Sequence, residues 1–148
     1  MKPLTGLSDE ALNFLDKEVS HRDRSAQNLP RMRAKAKAVA MAEAPRLCRA
    51  HGVTMDESIL GGVRCLEVRP QNLRVDWPIL YSFGGGMVEG SPEEDLPLIA
   101  PLSALTGARV IAPDYRLAPE HPWPAALDDT FAVYRMIAGL PFATLGES

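Results

Sequence analysis

The hydrophobic pattern begins as a helix. Leu12, Leu15 and Val19 fall at i, i+3 and i+7 on one face, with charged residues opposite. Ser8 suits the N-cap of this helix, and Leu7 suits a staple onto Leu12. A second, alanine-rich helix starts near Pro30, a first-turn position, and continues toward His51, where Gly52 is a natural stop. Pro45 lies inside this stretch and predicts a kink or two shorter helices. From Val53 the period becomes strand-like. Residues 53–60 and 63–68 flank Gly61-Gly62, a two-residue hairpin signal. The apolar run 78–83 suits a buried strand and ends in three glycines. Residues 96–105 read as a helix despite Pro97 and Pro101, Gly107 closes it, and 108–112 is the next buried strand. A proline-rich loop precedes a helix over 124–138, and 142–145 is the last strand candidate. A hairpin followed by strand, helix, strand, helix, strand predicts an α/β sheet whose later strands run parallel.

Charge divides the chain at the same place as the change of period. Of the 148 residues, the first 50 carry a net charge of +4 and the rest −7. The boundary near His51-Gly52 separates a helical part, residues 1–52, from a sheet-bearing body, residues 53–148. With 46% hydrophobic and 24% charged residues the composition is that of a soluble globular protein. A net charge of −3 argues against a general polyanion binder. Arg31, Arg33, Lys35 and Lys37 form an alternating basic run without interleaved aromatics, which reads as a solvated helix face, so no nucleic-acid partner is expected. No apolar run approaches the ~18 residues of a membrane span. Asp9, Glu10, Asp16 and Glu18 exclude a secretory h-region. Cys48 and Cys65 make no disulfide framework, and no Cys/His cluster has zinc spacing. Buried reduced thiols in a cytoplasmic protein, with no metal site, are the expectation.

Two segments carry candidate chemistry. In residues 81–91, consecutive glycines (Gly84, Gly85, Gly86) follow the apolar run and let backbone N–H groups converge on one point. That serves a phosphate or a developing oxyanion equally well. A dinucleotide-binding oxidoreductase rests on this turn alone. The spacing does not fit G-x-G-x-x-G, because the third glycine would fall at Glu89, and no Walker lysine follows. The second segment, residues 114–124, has three prolines within six residues. Its expected role is to buttress the glycine turn, held by charge-assisted hydrogen bonds from Asp114, Arg116 and Glu120. Ala118-Pro119 and Trp123-Pro124 are candidates for cis peptides. His121 is the most tempting general base, but between Glu120 and Pro122 it reads as a loop-packing histidine.

Together these segments resemble the α/β-hydrolase esterases of the hormone-sensitive-lipase type. The signatures of that family are His-Gly-Gly-Gly after a strand, then Asp-Tyr-Arg-Leu-Ala-Pro-Glu-His and an aromatic-proline pair. The second motif matches at every position from Asp114 to His121, and Trp123-Pro124 continues it. The resemblance runs from about Val53 to Ser148. It implies the N-terminal part of an α/β-hydrolase sheet over 53–148, with residues 1–52 as cap-like helices. It further implies that the N–H groups of Gly85 and Gly86 form two of three oxyanion-hole donors, and that Gly84 supplies the tight turn. Met87, Val88 and Leu96 would lie near the acyl or alcohol pocket. One departure is Phe83, where the family usually has histidine. Since the oxyanion donors are backbone groups, the hole survives this change, but the histidine's hydrogen bonds must be replaced.

The end of the sequence bears on the nucleophile. The family places it in a G-x-S-x-G elbow after the helix that follows the second motif. Residues 142–148 read as that strand followed by Gly146-Glu147-Ser148, which puts Ser148 at the nucleophile position. The family order is serine, acid, histidine, and the three histidines here all precede Ser148. The expectation is therefore a carboxylic-ester hydrolase acting on a small-molecule ester, truncated at the elbow and inactive as this chain alone. No cofactor is implied, and a homo-oligomer is compatible with the full-length relative. The alternative is a naturally truncated, non-catalytic binding half that pairs with a partner chain.

Overall fold

The computed structural model describes Ser8 and residues 25–139. The first predicted helix, the strand candidate 142–145 and Ser148 lie outside the described residues. Helix α1 spans Leu29–His51, with Asn28 at its N-cap and Pro30 in its first turn. Left-handed Gly52 ends it, and its N–H donates to the Arg49 carbonyl. The helix runs through Pro45 without dividing in two. Pro45 lies on the exposed side, where water can satisfy the carbonyl its missing N–H leaves free. The neighbouring Ala44 is buried.

Strands β1 (Val53–Leu60) and β2 (Val63–Pro70) form the expected hairpin, in register from Val53 opposite Pro70 to Leu60 opposite Val63. Gly61 and Gly62 both have positive φ (60° and 82°), the backbone that a tight two-residue turn demands. Then follow β3 (Ile79–Leu80), α2 (Leu96–Thr106), β4 (Val110–Pro113) and α3 (Ala125–Ile137). The sheet order is β1-β2-β4-β3, with β2 and β4 antiparallel and β3 and β4 parallel. This is an α/β arrangement whose later strands are parallel, as the pattern predicts.

The strand period sorts the core into two faces. Leu66, Val68, Val110 and Ala112 point to one side and pack with Leu96, Ile99 and Ala100 of α2 and Ala44 of α1. Val63, Cys65 and Ile111 point to the other side and pack on Val133 of α3. The sheet is thus covered by α1 and α2 on one face and by α3 on the other. A third cluster, Phe83, Tyr115 and Ala126, lies where the glycine turn meets the proline-rich loop.

Three expectations are corrected here. Of the apolar run 78–83 only Ile79 and Leu80 pair, and both are half-buried. Among the described residues β3 has a partner on one side alone, so the run leaves the ladder early to form the turn. Leu96 is fully buried in the main core rather than beside a pocket, because it opens the face of α2 that packs on the sheet. The basic run is not a solvated face throughout. Arg33 and Lys37, one helical turn apart, both face the body of the protein and bond to it, while Arg31 and Lys35 are exposed. No helix among the described residues is long and apolar enough to cross a membrane.

Candidate active site

The glycine turn begins where β3 ends. The Tyr81 N–H still donates to the Ile111 carbonyl, which carries the sheet bonding one residue past the strand. Asp95, at the N-cap of α2, then receives two hydrogen bonds: from the Tyr81 hydroxyl (3.0 Å) and from the Gly84 N–H (3.3 Å). Burial and the Asp95 carboxylate push the Tyr81 hydroxyl up to about 12, so it remains a donor.

The turn closes at Gly85, not Gly84. The Gly85 carbonyl accepts from the N–H groups of Val88 (3.2 Å) and Glu89 (3.1 Å). Gly85 has φ +118°, and a Cβ there would lie 1.9 Å from the Glu89 carbonyl oxygen. Gly90 is as constrained, since its Cβ would meet the Gly84 carbonyl oxygen at 2.4 Å. Gly84 has no such contact and no positive φ. The expectation that Gly84 makes the tight turn is therefore corrected: its part is the bond to Asp95. Met87 has φ +60°, the one non-glycine residue with positive φ among those described. That conformation costs roughly 1–3 kcal/mol and persists only where its surroundings enforce it.

The N–H groups of Gly85 and Gly86 donate no hydrogen bond among the described residues, and both glycines are exposed. On one side of the turn, a cavity of about 280 Å³ is lined by Gly86 and Met87 together with Phe83, Tyr115, Ala126 and Leu127. On the other side, a cavity of about 260 Å³ lies between Gly84, Gly85 and the α1 residues Met32, Arg33 and Ala36. Met87 is about half exposed.

The proline-rich loop supports this turn as expected. The Phe83 and Tyr115 rings stack at 4.0 Å with an interplanar angle of 1°. The Tyr115 hydroxyl donates to the Phe83 carbonyl at 2.6 Å, and the Ala118 N–H donates to the Met87 carbonyl at 2.8 Å. The Ala118-Pro119 and Trp123-Pro124 peptides are both cis. All three charged residues of the loop are anchored. Asp114 pairs with Arg64 and Lys37, Glu120 with Arg33, and Arg116 forks onto buried Asp129. Burial pushes the Asp129 carboxyl up, but the Arg116 hydrogen bonds outweigh it and hold the carboxyl below its ordinary value. His121 is exposed rather than packed in the loop, and its backbone N–H donates to Leu117.

Two contributors escape sequence reasoning. Asp95 carries the signal of an N-cap before Leu96-Pro97. Arg33 carries none beyond its place in the basic run, yet its guanidinium touches both the turn and the loop. Behind the turn, fully buried Glu93 accepts from Arg64 (2.6 Å) and pairs with Lys37 (3.3 Å). Among the described residues no three His, Cys, Asp or Glu side chains cluster as metal ligands.

Part of the chain is similar to known hydrolases. The sequence model of the alpha/beta hydrolase fold matches residues 79–143. The chain is 44% identical over 59 residues to an acetyl-hydrolase of Streptomyces hygroscopicus, covering 40% of this chain and 20% of that protein. It is 38% identical over 86 residues to a versiconal hemiacetal acetate esterase of Emericella nidulans, covering 57% of this chain and 30% of that protein. The crystal structure of a hormone-sensitive lipase from a metagenome library superposes with a TM-score of 0.66 at 39% identity, covering 75% of this chain and 36% of that one. The chain thus spans less than a third of these curated relatives and just over a third of the solved one.

Proposed function

We propose that this chain, which belongs to the α/β-hydrolase fold family of the hormone-sensitive-lipase type, supplies the oxyanion-stabilising part of a carboxylic-ester hydrolase. The observation that carries the reading is the pair of exposed N–H groups at Gly85 and Gly86, without acceptors among the described residues, on a turn braced from two sides. Such donors stabilise charge that develops on the carbonyl oxygen, and losing one costs roughly 10²–10³ in rate.

In this reading the Ser148 hydroxyl oxygen attacks the ester carbonyl carbon. Its proton passes to a general base, which the family provides as a histidine that follows the serine. The tetrahedral oxyanion is held by Gly85 and Gly86, and on its collapse the base returns the proton to the leaving oxygen, which departs as the neutral alcohol. Water then attacks the acyl-serine, releasing the acid and restoring the hydroxyl. The apolar walls beside Gly86 and Met87 suit one arm of a small ester. No cofactor takes part in these steps.

The test is hydrolysis of p-nitrophenyl butyrate by the protein that carries this sequence. Loss of turnover in both Ser148→Ala and Gly85→Ala is the expected result. Turnover unchanged in both overturns the reading.

A second reading, a non-catalytic half completed by a complementary chain, is favoured by the pairing of β3 on one side alone among the described residues and by exposed Phe131 and Tyr134 on α3. A stable 1:1 complex with such a chain, showing no hydrolysis, would support it in place of the first.

A further inference from the structure

We infer that Arg33 is a positioning residue for the oxyanion turn, acting from a different element of the fold; this rests on the ester-hydrolase reading. Arg33 lies on the first half of α1, more than fifty residues before the turn. Its side chain is only 17% exposed, and its planar fork is used on three acceptors. Nε donates to the Val88 carbonyl at 2.8 Å, Nη2 to the Ala118 carbonyl, and Nη1 to Glu120 Oε2 at 2.9 Å.

These acceptors surround the strained residue. Met87, at φ +60°, lies between Gly86 and Val88. The Met87 carbonyl is held by the Ala118 N–H, and the next carbonyl, Val88, by Arg33. Since Arg33 also grips the Ala118 carbonyl, one guanidinium fixes both the turn and the loop residue that braces it. The peptide immediately before Met87 carries the Gly86 carbonyl, and the Gly86 N–H lies one peptide further back in the same short turn. The Gly85 carbonyl in turn accepts from the Val88 and Glu89 N–H groups, so holding Val88 and Ala118 in place fixes the closed turn and aims the Gly86 N–H.

The geometry separates this role from general stability. Lys37, one turn further along the same helix face, binds Asp114 and Glu93 but has no bond to residues 84–90. Arg33→Met removes the three bonds while keeping apolar bulk. Arg33→Lys keeps the charge but loses the fork.

The experiment compares Arg33→Met, Arg33→Lys, Lys37→Met and Gly85→Ala in the protein that carries this sequence. It measures p-nitrophenyl butyrate kinetics, thermal midpoints and the backbone amide resonances of residues 85–88. Arg33→Met is expected to lower kcat about 10- to 100-fold with KM little changed, and to move the Gly86 and Met87 resonances. Arg33→Lys restores part of the rate. Lys37→Met retains kcat and those resonances, whatever its melting temperature. If Arg33→Met keeps wild-type kcat and wild-type resonances while Gly85→Ala abolishes turnover, the role assigned to Arg33 is wrong and the hydrolase reading stands. If Gly85→Ala also retains turnover, the hydrolase reading itself fails.

Discussion

Tyr115 holds Phe83 twice, by a parallel ring stack at 4.0 Å and by a hydroxyl bond to its carbonyl at 2.6 Å. Phe83 is only 4% exposed, which makes it an apolar anchor for the turn. Phe83→Ala should cost about 3–5 kcal/mol through the cavity it leaves. Tyr115→Phe keeps the stack but strips a buried carbonyl of its donor, for about 1–2 kcal/mol. Urea denaturation of both variants checks the order. A Tyr115→Phe penalty equal to that of Phe83→Ala would contradict it.

Gly84 and Gly85 are adjacent and chemically identical, yet substitution should separate them. A methyl on Gly84 meets nothing within 4 Å, so Gly84→Ala should stay within about 0.5 kcal/mol of the parent. A methyl on Gly85 would sit 1.9 Å from the Glu89 carbonyl oxygen, so the turn must move. Gly85→Ala should lower ester hydrolysis by at least about 10²-fold, by displacing a donor of the oxyanion hole. Steady-state rates of the two variants decide the point, and equal losses would refute the assignment.

What the sequence reveals depends on how local the cause is. The hairpin at Gly61-Gly62 and the helix stops at Gly52 and Gly107 are legible because each left-handed backbone position leaves a glycine in the text. The loop's bracing role is legible from its prolines and charges. Arg33 and Lys37 are not, because an alternating basic run looks alike whether solvent or a carbonyl meets each residue. Their inward direction comes from what the folded chain brings opposite, Val88 and Asp114, 55 and 77 residues away. The same holds for Leu96, whose burial is decided by the sheet under α2, and for the run 78–83, whose pairing is limited by its place at one side of β4.

The two cysteines should react very differently. Cys65 is fully buried between β2 and its neighbours, and burial pushes its thiol up to about 11. Cys48 is half-buried on α1, and burial raises its thiol too. Thiolate is the reactive form, so both are slow near neutral pH, with Cys65 the slower for want of access. Titration of the native protein with a disulfide reagent at about pH 8 should label Cys48 first and Cys65 only on unfolding. Prompt labelling of two thiols would show that the sheet core opens.

Stability should fall on the acid side, and Glu93 should carry a distinct part of the fall. Burial pushes its carboxyl up, but hydrogen bonding to Arg64 and the nearby Lys37 charge outweigh this and hold it below the ordinary 4.5. The folded state therefore takes up this proton less readily than the unfolded chain. The contribution is complete above the ordinary carboxylate range and is lost as pH falls through the lower folded value. Asp129 shifts in the same direction through Arg116, so the acid loss is shared. Glu93→Gln leaves Arg64 and Lys37 with Asp114 and Glu57 alone, and should cost about 3 kcal/mol at neutral pH. Because protonated Glu93 and Gln are both neutral, the gap between parent and variant should narrow as pH falls below the ordinary carboxylate range. Urea denaturation across that range measures the gap directly. A gap that stays constant would mean that Glu93 acts through packing, and that its charge is not what holds Arg64 in place.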